Sequence, residues 1–507
     1  MENVGFLLEG FMVALSPQNI GAAMIGAALG IIVGAMPGIG SLAGVALLLP
    51  LTFKFNPTTA IIMLGAIYYS NMYGGSYSAI LLNIPGDSPA VMTTLDGYPM
   101  AKKGRAGQAL LTANFSSFIG GLIGMCILVF IGPALARIGL KFGPAEMAAL
   151  LLVAMTSITW LVGENPTKGV IVTLVGILLA SIGMDSVLGT PRYDFGSIHL
   201  LGGIPFTPLV IGAVGFSQVI KLMSERDKQQ KVEGKIRLRD SWFVKGEGRR
   251  LLFPALRSGI LGTFVGVLPG AGATTGSFMG YAIQKKCFKN KEKLGEGAIE
   301  GVAACEAANN AAAAGAFAPL LALGIPGSGT GAVLLGGLMM WGLNPGPMLF
   351  ETNPDFAWGL IASLFLANMI TLGIALLIIP WLMKILSVPV KIMIPAISVI
   401  CVVGAYSTSN SMFGVIVMFL AGVLGYLLEK NNYPIAPLLL SMVLAKTLEV
   451  NTRRAFIISK GSPMIFFEKP ISAVLMVIFF LIICTPIVKA IIKKVKNSKN
   501  NSMAQGQ

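Results

Sequence analysis

Val33–Gly40 reads VGAMPGIG, and 232 positions later Val265–Gly272 reads VGVLPGAG. Both put a Pro-Gly-x-Gly break inside an apolar run, where a plain membrane anchor would carry leucine. Proline removes a backbone donor and blocks the preceding turn, while glycine admits dihedrals that other residues avoid. Each break is therefore expected to end one helix and start another. A second pair follows in the same order: NIPGDS at Asn83–Ser88 and GIPGSG at Gly324–Gly329, 241 positions apart. A third, PFTPL from Pro205 and PIAPL from Pro434, is 229 apart. Three motifs in one order at nearly constant spacing indicate a duplicated chain.

The solvent of that chain follows from its composition. Of 507 residues, 55% are hydrophobic and 12% charged, and mean hydropathy is +0.79. A soluble domain carries roughly 25% charged residues, so a water-facing surface cannot be built from this sequence. Apolar runs near 20 residues recur, the length that crosses a bilayer as a helix. Lipid offers the backbone no hydrogen-bond partners, and the runs are too continuous for a membrane barrel. The fold class expected is all-α, a polytopic membrane protein with about 12 transmembrane segments. The start, MENVGFLLEGF, has no basic region before its apolar stretch, so the first helix is expected to stay.

The formal charge of +15 is concentrated rather than spread. Ten Lys or Arg lie between Lys221 and Arg250 and five between Lys489 and Lys499, whereas residues 1–53 and 294–383 contain none. Such asymmetry puts the central linker and the tail in the cytoplasm and the N-terminus outside. Without interleaved aromatics beyond Trp242 and Phe243, it does not read as a nucleic-acid surface. The organisation expected is a first repeat over 1–223, a basic linker over 224–250, a second repeat over 251–470, and a C-terminal helix with tail over 471–507. Halves entering from opposite faces would be inverted repeats with broken or re-entrant helices, a design of secondary transporters. One stretch, Lys446–Lys469 with Arg453 and Arg454, resists the charge scheme unless it folds back into the protein.

Broken helices leave N–H groups free, and these with the helix dipole make an anion site. Matching breaks in two halves point to one site at their interface. The candidate substrate-binding residues are Pro37, Gly38, Gly40, Ser76, Asn83, Pro85, Gly86 and Ser88 in the first half. Pro269, Gly270, Gly272, Asn309, Asn310, Pro326, Gly327 and Ser328 are those of the second. Asn and Ser carry donors and acceptors without charge. Ion-coupling candidates are Asp87, Glu306 and Thr330, Glu306 because an ionisable residue inside a span is functional by default; Asp87 reads equally as a helix cap. His199 has no catalytic constellation around it. The five cysteines have no metal-ligand spacing and read as apolar packing residues. No Walker A, HExxH or GxSxG sequence occurs, so the chain is not read as an enzyme and no cofactor is expected beyond sodium or a proton as coupling ion.

The segments PGIGSLAGVALLLPLTF, YYSNMYGGSYSAILLNIPGDSPAV, LDGYPMAKKGRAGQAL, GTPRYDFG, EGVAACEAANNAAAAGAFAPLLALGIPGSGTGAVLLGGL and GLNPGPMLF closely resemble the TctA family, the large membrane subunits of tripartite tricarboxylate transporters. The likeness runs from about Phe6 to Met464. Two positions depart from the family pattern: Asp87, where relatives often carry Glu, and Cys305, where Pro is expected. The resemblance implies a multi-pass protein of the bacterial inner membrane, working with a small membrane subunit and a periplasmic substrate-binding protein. It implies uptake of citrate-like tricarboxylates or related carboxylates on a sodium or proton gradient. The other reading of the broken helices is an anion-selective channel or a carrier for another small organic anion.

Overall fold

A computed structural model describes residues 2–36, 39–161, 166–185, 187–224, 242–243, 247–287, 294–382, 386 and 389–484. Pro37 and Gly38, most of the basic linker and the basic tail lie outside the described residues. The first part of the chain runs α1 (Glu2–Ala14), α2 (Pro17–Ala35), α3 (Gly40–Leu48), α4 (Pro57–Leu82), α5 (Val91–Met100), α6 (Ala106–Gly139), α7 (Pro144–Leu161) and α8 (Pro166–Ala180). A two-stranded antiparallel hairpin, β1 (Gly183–Met184) and β2 (Pro191–Arg192), precedes α9 (Ile198–Leu201), α10 (Phe206–Val210) and α11 (Ser217–Ser224).

After the linker come α12 (Glu247–Val267), α13 (Gly272–Cys287), α14 (Ile299–Gly315), α15 (Phe317–Leu323), α16 (Gly329–Met340), α17 (Leu349–Thr352) and α18 (Pro354–Ile378). The chain closes with α19 (Val390–Ser409), α20 (Met412–Lys430), α21 (Ala436–Ile458), α22 (Ile465–Glu468) and α23 (Pro470–Cys484). Thus α2, a break and α3 are answered by α12, a break and α13. Likewise α4, a break and α5 are answered by α14 with α15, a break and α16.

Among the described residues, seven helical stretches are long and apolar enough to cross a membrane: Pro17–Ala35, Ser88–Gly139, Phe206–Ser224, Glu247–Val267, Pro354–Trp381, Lys391–Thr408 and Met412–Lys430. Shorter apolar helices accompany them. This is a multi-pass, all-α membrane protein. Its outer helices carry apolar stripes at helical spacing, such as Phe253, Leu256, Ile260 and Phe264 on α12 and Ile416, Leu420, Val423 and Leu427 on α20, all exposed at the protein surface where acyl chains would cover them.

The centre is built differently. Every residue of α4 from Thr59 to Ile80, and every residue of α14, is buried. Neither helix is among the seven apolar spans, because each carries polar side chains that lower its hydropathy. Both are wrapped by other helices instead of lipid. α2 reaches α4 through Gly26, Gly30 and Gly34, one turn apart, where any Cβ would collide with the backbone at Met63, Ile67 and Asn71. α12 reaches α14 in the same way, through Gly262 and Gly266 against Ala308 and Ala312. Small residues at a helix seam allow the close backbone approach on which packing without a hydrophobic driving force depends.

The stretch that resisted the charge scheme is helical to Ile458 and again from Ile465, and three of its charged residues, Glu449, Arg453 and Lys469, are paired. Arg453 contacts Asp185 at 2.9 Å and Glu449 at 2.6 Å, Arg192 contacts Glu449 at 2.8 Å, and Lys469 contacts Glu146 at 3.2 Å. Amides of Leu188 and Val187, then Arg453 and Arg192, hold the Asp185 carboxyl below the usual carboxylate range. Among the cysteines, packing accounts for Cys305 and Cys401, which are buried. Cys126, Cys287 and Cys484 are exposed, so the packing reading fails for them; all five are free. His199 stacks on Phe413 with ring centroids 5.4 Å apart.

Candidate functional site at the paired breaks

The two IPG breaks share one backbone path. α4 ends at Asn83 in the left-handed conformation (φ 59°) and α15 ends at Gly324 in the same conformation (φ 68°). Left-handed geometry is open mainly to Gly and Asn, which is why these two residue types end the two helices. The chain then turns through Ile-Pro-Gly to Asp87 (φ −140°, ψ 160°) and Ser328 (φ −155°, ψ 168°), each the cap of the next helical segment. Gly86 lies against the carbonyl of Gly34, and Gly327 against that of Gly266, 3.2 Å from where a Cβ would stand.

The Pro-Gly-x-Gly breaks meet these loops. Gly40 and Gly272 open α3 and α13 with φ +64° and +59°, and a Cβ at Gly40 would stand 3.1 Å from Asp87 Oδ1. The Asp87 carboxylate accepts from Ser41 N at 2.9 Å and from Ser88 N at 2.7 Å, so it caps α3 across 46 residues. Ser328 Oγ accepts from Gly331 N at 3.1 Å and caps α16. The two halves touch where the Ser41 and Thr330 hydroxyls lie 3.1 Å apart.

Between the breaks lies a cavity of about 190 Å³, many times the ~10–15 Å³ one water needs. Asp87, Ser88, Gly270, Gly272, Ser328 and Thr330 line it among the predicted residues, joined by Ser41, Tyr68, Pro89, Thr274 and Thr275. The first residues of α13 and α16 are on its wall, and the first N–H groups of a helix have no partner within that helix. The site offers amides, hydroxyls and the positive ends of two helix dipoles. Asp87 is its one charged lining side chain, and both its oxygens accept from backbone amides.

The other predicted residues lie elsewhere. Asn83 is exposed at its helix end; Pro85, Gly86, Pro269, Pro326 and Gly327 shape the loops without lining the cavity. Ser76 donates to the Tyr73 carbonyl of its own helix at 2.7 Å. Glu306, Asn309 and Asn310 sit together deep on α14, apart from the cavity. Among the described residues no group of three or more His, Cys, Asp or Glu could hold a metal ion.

Sequence reasoning passed over Asp96. Its carboxylate accepts from Gly295 N at 2.9 Å, Gly297 N at 2.9 Å, Ala298 N at 2.8 Å and Tyr281 Oη at 2.9 Å. It fastens α5, which follows the first IPG loop, to the start of α14 and to α13. Asp in LDGYP gives no local hint of partners some 200 residues away, whereas Ser41 could have been found from its position directly after Gly40.

Comparisons with known proteins agree with this architecture. The chain is 41% identical over 479 residues to an uncharacterized 52.8 kDa protein in the TAR-I ttuC' 3' region of Agrobacterium vitis, covering 94% of this chain and 95% of that one. It is 41% identical over 215 residues to an uncharacterized protein in the TAR-II ttuC' 3' region of the same organism, covering 42% of this chain and 89% of that one. No solved structure matches it. The description "Tripartite tricarboxylate transporter TctA family" matches residues 20–440, and with the paired breaks and the helical membrane fold already in view, the chain belongs to that family of transporters.

Proposed function

We propose that this chain is the transport-catalysing membrane subunit of a binding-protein-dependent secondary carrier in a bacterial inner membrane. It takes up citrate-like tricarboxylates or related carboxylates on an ion gradient, with a small membrane subunit and a periplasmic substrate-binding protein as partners. The observation that carries this reading is the cavity between the paired breaks, where two helix N-termini and the hydroxyls of Ser41, Ser328 and Thr330 converge. Backbone amides suit a carboxylate because they bring donors and dipole without a competing fixed cation.

The recurring order of helices and breaks, with the basic linker between the halves, supports two repeats of inverted topology and about 12 crossings. A site between two such repeats opens to either face when one rocks against the other.

Proteoliposomes of the purified chain, loaded with a panel of di- and tricarboxylates, test the reading. Exchange of labelled for unlabelled citrate or a related carboxylate, stimulated by a sodium or pH gradient and by the periplasmic protein, is the expected result. Current without exchange would make it a channel.

A further inference from the structure

Glu306 on α14 is fully buried, and among the described residues no Lys, Arg or His forms an ion pair with it. A lone carboxylate this far from water is costly unless something balances its charge. Its neighbours are neutral and come from three helices. The Thr93 hydroxyl of α5 donates to Oε1, the Ser117 hydroxyl of α6 donates to Oε2 at 3.2 Å, and Asn309, three residues on along α14, shares the helix face of Glu306. Asn309, 1% exposed, keeps its Oδ1 without a partner.

Most other polar groups nearby are committed, although Asn310, whose side-chain amide donates to the Glu306 carbonyl at 3.1 Å, also keeps its Oδ1 without a partner. Tyr73 donates to Asn368 Oδ1 at 2.6 Å, Tyr77 to Asn114 Oδ1 at 2.8 Å, and the Cys305 thiol to the Val302 carbonyl at 3.4 Å. Asp96, the other buried acid of α5, already holds four donors.

We infer that Glu306, Thr93, Ser117 and Asn309 form a binding site for one alkali-metal cation, the coupling ion of the carrier proposed above. One carboxylate balances one positive charge, so a divalent ion would leave a buried excess. Two carboxylate oxygens, two hydroxyl oxygens and the free amide oxygen supply the all-oxygen shell that a hard cation takes. A proton would occupy one carboxylate oxygen with these same groups as hydrogen-bond partners, so the two occupants are separated by whether sodium binds.

The site also has a mechanical line to the cavity. Thr93 rides on α5 directly after the loop bearing Asp87, Ser88 and Pro89, and Asp96 pins the same helix to Tyr281 of α13, whose first turn is cavity wall. A cation drawing Thr93 to Glu306 fixes that wall, so ion and carboxylate each tighten the other's binding.

The physiological role rests on the transport reading; the site itself does not, and the two are tested apart. Binding of radioactive sodium to the purified full chain in choline chloride buffer is expected to saturate. Thr93→Val and Ser117→Ala should each weaken it roughly tenfold to hundredfold, Glu306→Gln should abolish it, and His199→Ala should leave it unchanged. Elution as a single species and an unaltered melting curve certify each variant. Ser117→Ala, the mildest change, keeps the test alive if Glu306→Gln misfolds. Wild-type sodium binding in folded Glu306→Gln, or proton uptake by the wild-type site with no sodium bound, overturns the assignment. Sodium binding without any carboxylate exchange would instead overturn the transport reading.

Discussion

The hydroxyl of Ser41 stands 3.1 Å from that of Thr330, joining the first turn after one break to the first turn after the other across 289 residues. Both are buried, so each single replacement strands a polar group whereas replacing both does not. Ser41→Ala or Thr330→Val is expected to raise the apparent KM for the transported carboxylate about 2- to 10-fold, from a bond worth about 0.5–1.5 kcal/mol. The double variant should fall short of the two effects added, as a double-mutant cycle on uptake kinetics would register.

Asn83 and Gly324 end their helices in the same left-handed turn, yet their surroundings differ. A Cβ at Gly324 would stand 2.6 Å from the Pro345 carbonyl oxygen, and Asn83 is exposed. Asn83→Gly should therefore transport normally, while Gly324→Asn should be impaired in folding or flux. Asn83→Ala is expected to cost about 1–2 kcal/mol of stability through backbone strain, seen as a lower melting temperature with substrate affinity unchanged. A weakened affinity in Asn83→Gly would return this residue to the binding site.

Gly86→Val drives a branched side chain into the Gly34 carbonyl and the Ser78 hydroxyl. Uptake should be lost even in protein that inserts normally. Gly327→Ala, whose new methyl would meet Ala316 and Gly266 at 3.2 Å, should keep part of it. His199→Ala loses only its stacking on Phe413 and should transport like the wild type in the same assay.

Asp185 ties the hairpin of β1 and β2 to α21 through Arg453, and its carboxyl is held low first by the Leu188 and Val187 amides and then by the two arginines. A group depressed in the folded state stabilises above its unfolded value, near 3.9, and that contribution disappears as pH falls through the folded value. Asp185→Asn should thus melt earlier than the wild type at neutral pH, with the gap closing below about pH 4. A gap that widens in acid would contradict the sign.

Single cysteines at Arg237 or Arg239, which lie outside the described residues, should react from the cytoplasm, and cysteines before Ile20 from the periplasm. The background needs the exposed Cys126, Cys287 and Cys484 replaced first. Labelling of both regions from one face would remove the argument for inverted halves.

The breaks were legible because Pro and Gly act locally: their effect on the backbone needs no knowledge of neighbours. That is also why the helix and loop order could be read around them. Hydropathy alone scores the two innermost helices low, since it counts Tyr68, Tyr69, Ser70, Asn71 and Tyr73 against α4 without knowing that protein surrounds them. Asn83 was chosen for its hydrogen-bonding groups, but what the fold uses is its tolerance of a left-handed turn. For Asp87 both readings were open, and the amide of Ser41 is what it caps. Asp96 was invisible because its partners are residues 281–298, and no local pattern announces a contact of that range.

The burial of α4 from Thr59 to Ile80, and of the whole of α14, has a bearing on the bilayer itself. Because no lipid touches them, the polar residues they carry are solvated by protein alone, and a change in acyl-chain length or headgroup acts first on outer helices such as α12 and α20. Thickness and composition can then alter how the shell tilts while the dielectric surroundings of Glu306 stay constant, which lets one interior chemistry serve in membranes of differing make-up.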